Sequence, residues 1–388
     1  MNKTVTMIAS VCIALVFAAG TAMAEDKKVA AEEKKTPKPV VQIAVLLDTS
    51  GSMSGLIDQA KAQLWSIVNE FSSASRDGVR PDFQVALYEY GKDSIPSSEG
   101  YLRMICPLTD DLDKISQELF ALKTNGGSEY CGRVIKAAVE GLKWSKAKNS
   151  YKAIFIAGNE PFTQGNVNYV ESCKAAITMD IVVNTIHCGG YQTGVDTKWK
   201  HGADLADGSY SHIDQNRKAI HIDCPHDAKI AKLGEELNKT YIGYGANGKK
   251  RAALQIELDS SAQGSSSGSN SQRQAAKAGR NYRNDNWDLV DGIESKTVKL
   301  EDMKDEDLPE EMRKMTLEER KAHVEKLTEQ RKVIQEKIKA LAAERSKHII
   351  AERKKLADKG EDTLEAVIIK AVRSQAQARE FKFDEKEK

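Results

Sequence analysis

The sequence predicts an α/β fold: a doubly wound, mainly parallel sheet with one antiparallel edge strand, followed by a C-terminal α-helical region. Three observations carry this expectation. The run of residues 40–48, VVQIAVLLD, is apolar almost throughout and ends in turn chemistry, the pattern of a strand buried on both faces. Strand-like runs then alternate with segments of helical period to about residue 258, which calls for crossover connections. Past residue 283 the composition turns to Glu, Lys, Arg, Ala and Leu with helical spacing.

The first 24 residues read as an export signal. Lys3 gives the positive start, MIASVCIALVFAAG an apolar core too short to span a bilayer, and Ala22-Met23-Ala24 a small-x-small cleavage site. The residues before Cys12 fit a lipoprotein cleavage box poorly. The expectation is an exported protein, periplasmic or secreted, with no transmembrane segment in the mature chain. Residues 25–39, EDKKVAAEEKKTPKP, are charged and proline-bearing and read as a flexible tether.

In the domain predicted for residues 40–258, each element has its own signal. After the first strand, Ile57, Ala60, Leu64, Ile67, Val68 and Phe71 recur three and four apart, the stripe of an amphipathic helix. FQVALYEYG and YLRMICPL are strands joined by a loop without a helix, so one lies antiparallel at an edge. LDKISQELFALK and CGRVIKAAVEGLKW are helical, and KAIFIAGN is a second buried strand. A helix around VNYVESCKAAITM, the strand DIVVNTIHC, the short strand GSYSHID and the helix AKIAKLGEELNKTYI complete the pattern.

Residues 259–282, which include SSAQGSSSGSNSQRQ, read as a serine- and glycine-rich linker. In the helical region, residues 283–388, Thr316-Leu317-Glu318-Glu319 is a capping box that opens a long helix. Val324, Leu327, Ile334, Ile338 and Leu341 form a heptad seam broken at Arg331, Arg345 and His348. An intramolecular hairpin with DTLEAVIIKAVRSQA is favoured over a dimeric coiled coil, through which the protein would self-associate. A solvated charged helix is the plain alternative. Trp287, in NDNWDLVDGI, is placed to dock this region onto the first domain. The net charge of +1, with 30% charged residues, gives no bulk attraction to nucleic acid or anionic membranes.

The chemistry concentrates at the end of the first strand. Asp48-x-Ser50-x-Ser52 turns a carboxylate and two hydroxyls along one tight loop, at the strand end where ligands of such sheets bind. These are hard oxygens suited to a partly hydrated divalent cation: Mg²⁺ first, with Mn²⁺ or Ca²⁺ as alternatives. The competing reading is that the three side chains only cap the turn and the following helix.

With this motif and this alternation, residues 40–258 resemble the von Willebrand factor A family. The late WKHGADLADGSYSHI segment is similar to the family's penultimate helix and last strand. The resemblance implies a metal-dependent adhesion site (MIDAS) that takes a hydroxyl from a second loop and an aspartate from a third, and a role in binding protein. The usual Gly-Gly-Thr matches Gly126-Gly127-Ser128, which makes Ser128 the second-loop hydroxyl and Thr124 the fallback. In the third loop Gly158 stands where the aspartate belongs, with Asn159 able to offer a carbonyl and Glu160 a displaced carboxylate. The predicted metal-site residues are thus Asp48, Ser50, Ser52, Ser128, Asn159 and Glu160.

An exported chain keeps paired cysteines as disulfides. Bridges Cys106–Cys131 and Cys188–Cys224 are expected, with Cys173 left as a buried thiol. A zinc site or redox centre built on His187, Cys188, His221, Cys224 and His226 is disfavoured, because no standard ligand spacing or Cys-x-x-Cys is present. No nucleophile elbow or phosphate-binding glycine loop appears either. Tyr88, Tyr90 and Phe162 read as core before ligand surface. The functional expectation is a non-enzymatic protein that binds a protein partner through a divalent ion, the partner offering an acidic side chain. The alternative is a structural scaffold with a degenerate metal loop that assembles through its C-terminal helices.

Overall fold

A computed structural model describes residues 38–214, 222–356 and 364–383. The signal segment, residues 25–37 of the tether and His221 lie outside the described residues.

The strands form where the sequence places them. β1 (Val40–Asp48) leads through a short 3-10 turn into α1 (Ser54–Ser72), followed by β2 (Ala74–Ser75), β3 (Asp82–Tyr90) and β4 (Leu102–Thr109). Next come α2 (Leu112–Ala121), α3 (Cys131–Gly141), β5 (Ser150–Gly158), α4 (Tyr169–Thr178) and β6 (Val182–Cys188). Two short helices, α5 (Tyr191–Asp196) and α6 (Trp199–Asp204), precede β7 (Tyr210–Ile213). The six-stranded sheet runs β4-β3-β1-β5-β6-β7, parallel except for the β3–β4 pair at the edge. Every residue of β5 and β6 is buried, as continuous apolar runs between two helical layers require.

Alternate residues of each strand feed two cores. On one face Val41, Ile43, Val85, Phe155 and Ile186 pack against α1 and α2; on the other Ala44, Leu46, Ile154 and Val183 pack against α3, α4 and α6. Tyr88, Tyr90 and Phe162 belong to the second core, at 2%, 0% and 0% exposure, so their core assignment holds.

The remaining elements are α7 (Asp227–Asn238), α8 (Gly248–Ser265), α9 (Ser267–Lys277), α10 (Leu289–Glu294), α11 (Glu310–Arg313), the 40-residue α12 (Leu317–Leu356), α13 (Leu364–Gln377) and β8 (Lys382–Phe383). Two expectations are corrected here. First, residues 259–282 are not a linker: they lie largely in α8 and α9, and α9 is buried against α1, α7 and α8. Its small residues permit close approach, and its charged residues are paired, while Ser269 Oγ and Gln274 Oε1 are buried without a partner among the described residues. Arg273 binds Asp113 at 2.8 Å and Asp259 at 2.6 Å, Lys277 binds Asp259 at 2.9 Å, and Ser271 donates to Asp227 at 2.7 Å. Burial is thus compensated by pairing and not by apolar surface.

Second, α12 forms neither a hairpin with α13 nor an open coiled-coil seam. Val324 and Leu327 pack with Ile242 and Leu289, while Ile334, Ile338 and Leu341 pack with Ile230 and Leu237 of α7. The seam-breaking arginines are ion-paired inside this contact. Arg331 binds Asp288 at 2.6 Å and Asp291 at 2.7 Å, and Arg345 binds Asp227 at 2.6 Å. His348 meets the Asp223 carbonyl oxygen at 3.1 Å. The capping box forms as read, with the Thr316 N–H on Glu319 Oε2 at 2.8 Å. Trp287 docks as expected: it is 2% exposed and stacks on Tyr241 at 5.7 Å between ring centroids.

α13 packs on α1 and completes the first core with Val367, Ile368, Ala371, Val372 and Ala376. β8 then pairs antiparallel with β2, beyond the end of α1. The C-terminal region is therefore part of the sandwich.

Candidate metal centre

The site lies at the C-terminal end of the sheet, where β1, β3 and β5 finish. The Thr49 N–H donates to the Tyr90 carbonyl at 2.8 Å, and the Asn125 N–H to the Thr49 carbonyl at 2.9 Å, so the first loop is tied to its neighbours on both sides. Below it, the Thr49 hydroxyl donates to the buried Glu89 at 3.2 Å, and Glu89 is neutralised by Lys92 and Arg103. This support fixes the loop before any ligand arrives.

Asp48 is fully buried, and its Oδ1 accepts the Ser50 N–H at 2.7 Å. The Ser50 and Ser52 hydroxyls lie 3.4 Å apart, Ser50 at 4% exposure and Ser52 open to solvent. Against Asp48 sits a residue that the sequence reading passed over. Glu129, 5% exposed, stands beside the Asp48 carboxylate. Its backbone N–H is held by Gln164 Oε1 at 2.5 Å. With its amide nitrogen turned inward, Asn159 donates to Glu129 Oε2 at 3.2 Å and to Asp48 Oδ2 at 3.3 Å. In the opposite amide orientation the Asn159 carbonyl, the ligand expected from the sequence, faces the same two carboxyl groups.

Burial, and then the neighbouring Asp48, push Glu129 up to about 9, and burial likewise raises Asp48. Two adjacent buried carboxyl groups disfavour double ionisation. Glu160 lies close enough to raise both further; its own contact is a backbone one, its carbonyl accepting the Trp199 Nε1–H at 2.9 Å. Ser128 is half-buried beside Glu129 on the second loop, and Thr124 is half-buried earlier in it.

Gly158 has a steric explanation. A Cβ built there would lie 2.4 Å from Tyr90 Oη and 3.0 Å from Asp48 Oδ2. The Tyr90 hydroxyl is anchored on the Ala157 carbonyl at 3.0 Å, so it occupies the start of any side chain at 158. Gly91, at φ +79°, makes room on the other side: a Cβ there would meet Glu129 Cγ at 2.7 Å and Asp48 Oδ1 at 2.8 Å.

Residues 42–197 match the family model of the von Willebrand factor type A domain. No curated protein matches the chain. Similar solved structures include the von Willebrand factor A domain of SpRpn10, at 17% identity and a TM-score of 0.34, covering 45% of this chain and 86% of that one. A conserved hypothetical protein, BatB of Bacteroides thetaiotaomicron, stands at 16% and 0.34, covering 45% and 90%. Proximal thread matrix protein 1 from the mussel byssus, whose structure has a zinc-occupied MIDAS motif, stands at 13% and 0.36, covering 45% and 42%. This chain spans about two fifths of the mussel protein's length.

The donor chemistry of the von Willebrand factor A-like centre fits a hard divalent ion. Two carboxyl groups and two hydroxyls converge, and hard oxygens of this kind are the donors such an ion takes. Among the described residues, no group of three or more His, Cys, Asp or Glu side chains, at this centre or elsewhere, is placed to hold a metal. The His187 and Cys188 side chains diverge because neighbours on a strand face opposite sides, His187 toward Trp199 and Cys188 into the α1-side core.

The expected disulfides are absent among the described residues. All five described cysteines are free and buried. Cys106 and Cys131 belong to cores on opposite faces of the sheet, which keeps their sulfurs apart. Cys131 Sγ instead donates to Tyr90 Oη at 3.9 Å.

Proposed function

We propose that the protein is an exported, non-enzymatic binding protein whose von Willebrand factor A-like domain holds one divalent ion, Mg²⁺ in preference to Mn²⁺ or Ca²⁺, and engages a protein partner there. The observation that carries this reading is the convergence of Asp48, Ser50, Glu129 and Asn159 beneath the exposed Ser52, on a loop already braced by Thr49 and Glu89. Asp48, Ser50 and Ser52 hold the ion from one loop, with Ser128 next to it on the second. The bound ion supplies an electrophile for a partner's oxygen.

Binding is favoured over catalysis because both carboxyl groups are withdrawn from solvent, at 0% and 5% exposure, and leave no general base facing a substrate. Titration calorimetry with Mg²⁺ and Mn²⁺ on metal-stripped protein tests the reading. One ion per chain for the wild type and none for Asp48→Ala supports it. No heat from either protein at millimolar metal overturns it.

One observation favours a second reading, a scaffold with a silent loop: the Tyr90 hydroxyl fills the place of the third-loop side chain. In that case Asp48→Asn stabilises the fold by removing a buried carboxylate and leaves partner capture intact. The burial of the α12 seam against its own domain weighs against assembly through that helix.

A further inference from the structure

We infer that Glu129 is the second carboxylate of the metal centre, taking over from the second loop the charge that Gly158 removes from the third. The inference rests on the metal-site reading above. Three observations carry it.

The third loop has no room for an acid at the usual place. A Cβ at 158 would stand 2.4 Å from Tyr90 Oη, and that hydroxyl is fixed by its own hydrogen bond to Ala157. A carboxylate must therefore reach the ion from elsewhere.

Glu129 reaches the same point by another route. Asn159 spans it and Asp48 with contacts of 3.2 and 3.3 Å, and a Cβ at Gly91 would meet Glu129 Cγ at 2.7 Å and Asp48 Oδ1 at 2.8 Å. Gly91, which leaves no Cβ to collide with Glu129 Cγ, keeps that route open.

Neither carboxylate has a cationic side chain among the described residues. Lys92, just past β3, and Arg103 of β4 are committed to Glu89. Buried carboxylates are normally paired with a cation or bound to a metal. Here the pair stands beside Ser50, one of the expected ligands.

The consequence bears on the partner. Two carboxylates neutralise a divalent ion, so the ion stays bound without an acid from outside, and its open positions take water or a neutral amide or hydroxyl oxygen. The acidic partner side chain expected from a one-carboxylate site is not needed.

The test is Mn²⁺ affinity of the full mature chain, by calorimetry and by electron paramagnetic resonance, with acetate as a probe carboxylate. Wild type should bind Mn²⁺ with an affinity unchanged by acetate. Glu129→Gln should bind at least about tenfold more weakly with the fold intact by circular dichroism. Adding Tyr90→Phe and Gly158→Asp to Glu129→Gln should restore binding by returning an acid to the third loop. Equal affinity in wild type and Glu129→Gln, with Asp48→Ala inactive, overturns the role of Glu129 and leaves the metal site standing. Wild-type affinity that rises strongly with acetate overturns the neutral-site consequence, and absence of wild-type binding removes both readings.

Discussion

Gln375, on the last helix, exchanges amide hydrogen bonds of 2.6 and 3.2 Å with Asn184 in β6 and accepts the Tyr151 hydroxyl at 2.8 Å. The C-terminal helix is thereby pinned to two central strands by a buried polar cluster whose partners come from 191 and 224 residues away.

Residues 38–258 alone should therefore not fold into a native domain. Without α9, α13 and the segment that follows it, the α1-side core loses Ala276, Val367, Ile368, Val372 and Phe381. The fragment should bind a hydrophobic dye and lack a cooperative unfolding transition, where the full chain shows one. In the full chain, Gln375→Ala should cost about 2 to 3 kcal/mol by leaving Asn184 and Tyr151 short of partners. A cooperative fragment would contradict this.

Arg331 is the anchor of the long helix. Its guanidinium binds Asp288 and Asp291, donates to the Thr240 carbonyl at 2.7 Å and lies 4.1 Å from the Tyr241 ring centroid. Arg331→Ala should destabilise by about 3 to 5 kcal/mol, since Asp288 is left buried and unpaired. Lys332→Ala, which removes only an exposed pair with Glu329, should leave the midpoint nearly unchanged. Denaturant midpoints separate the two.

Acid should loosen the α8–α9 clasp. Burial alone would raise Asp259, but the Lys277 and Arg273 charges outweigh it and hold the carboxyl down to about 2. A folded-state value below the ordinary 3.8 gives stability that is present above that pH and lost as pH falls through about 2. The gap between wild type and Asp259→Asn should shrink by roughly 2 kcal/mol between pH 5 and pH 2. A gap constant with pH would contradict the assignment.

The thiols should be silent. All five described cysteines are buried, and burial raises Cys131, Cys173 and Cys188. Native protein should resist a thiol reagent, and a reductant should leave Tm unchanged. A clear drop in Tm with reductant would restore a disulfide.

The sheet was legible because strands buried on both faces write long apolar runs, and β1, as read, spans residues 40–48. The α9 helix was not, because Ser, Gly and Gln resemble a linker until Asp113, Asp227 and Asp259 are seen to receive them. The α12 seam was visible as apolar spacing, but spacing does not name its partner, and its two arginines looked like flaws before Asp288 and Asp227 were placed. At the site, Asp48, Ser50 and Ser52 could be read from one loop. Glu129 could not: it adjoins the motif residue Ser128, and only the fold turns it toward Asp48. The one available signal was an acid beside a loop glycine pair. Gly158 read as a lost ligand, whereas the Tyr90 hydroxyl explains why nothing larger fits.

The most direct test of the central claim is a crystal structure of the mature protein soaked in Mn²⁺, read by anomalous scattering. The account predicts one strong peak bonded to oxygens of Asp48, Ser50, Ser52 and Glu129, with Gly158 and Tyr90 unmoved. A loop without a peak at saturating Mn²⁺ would contradict the account.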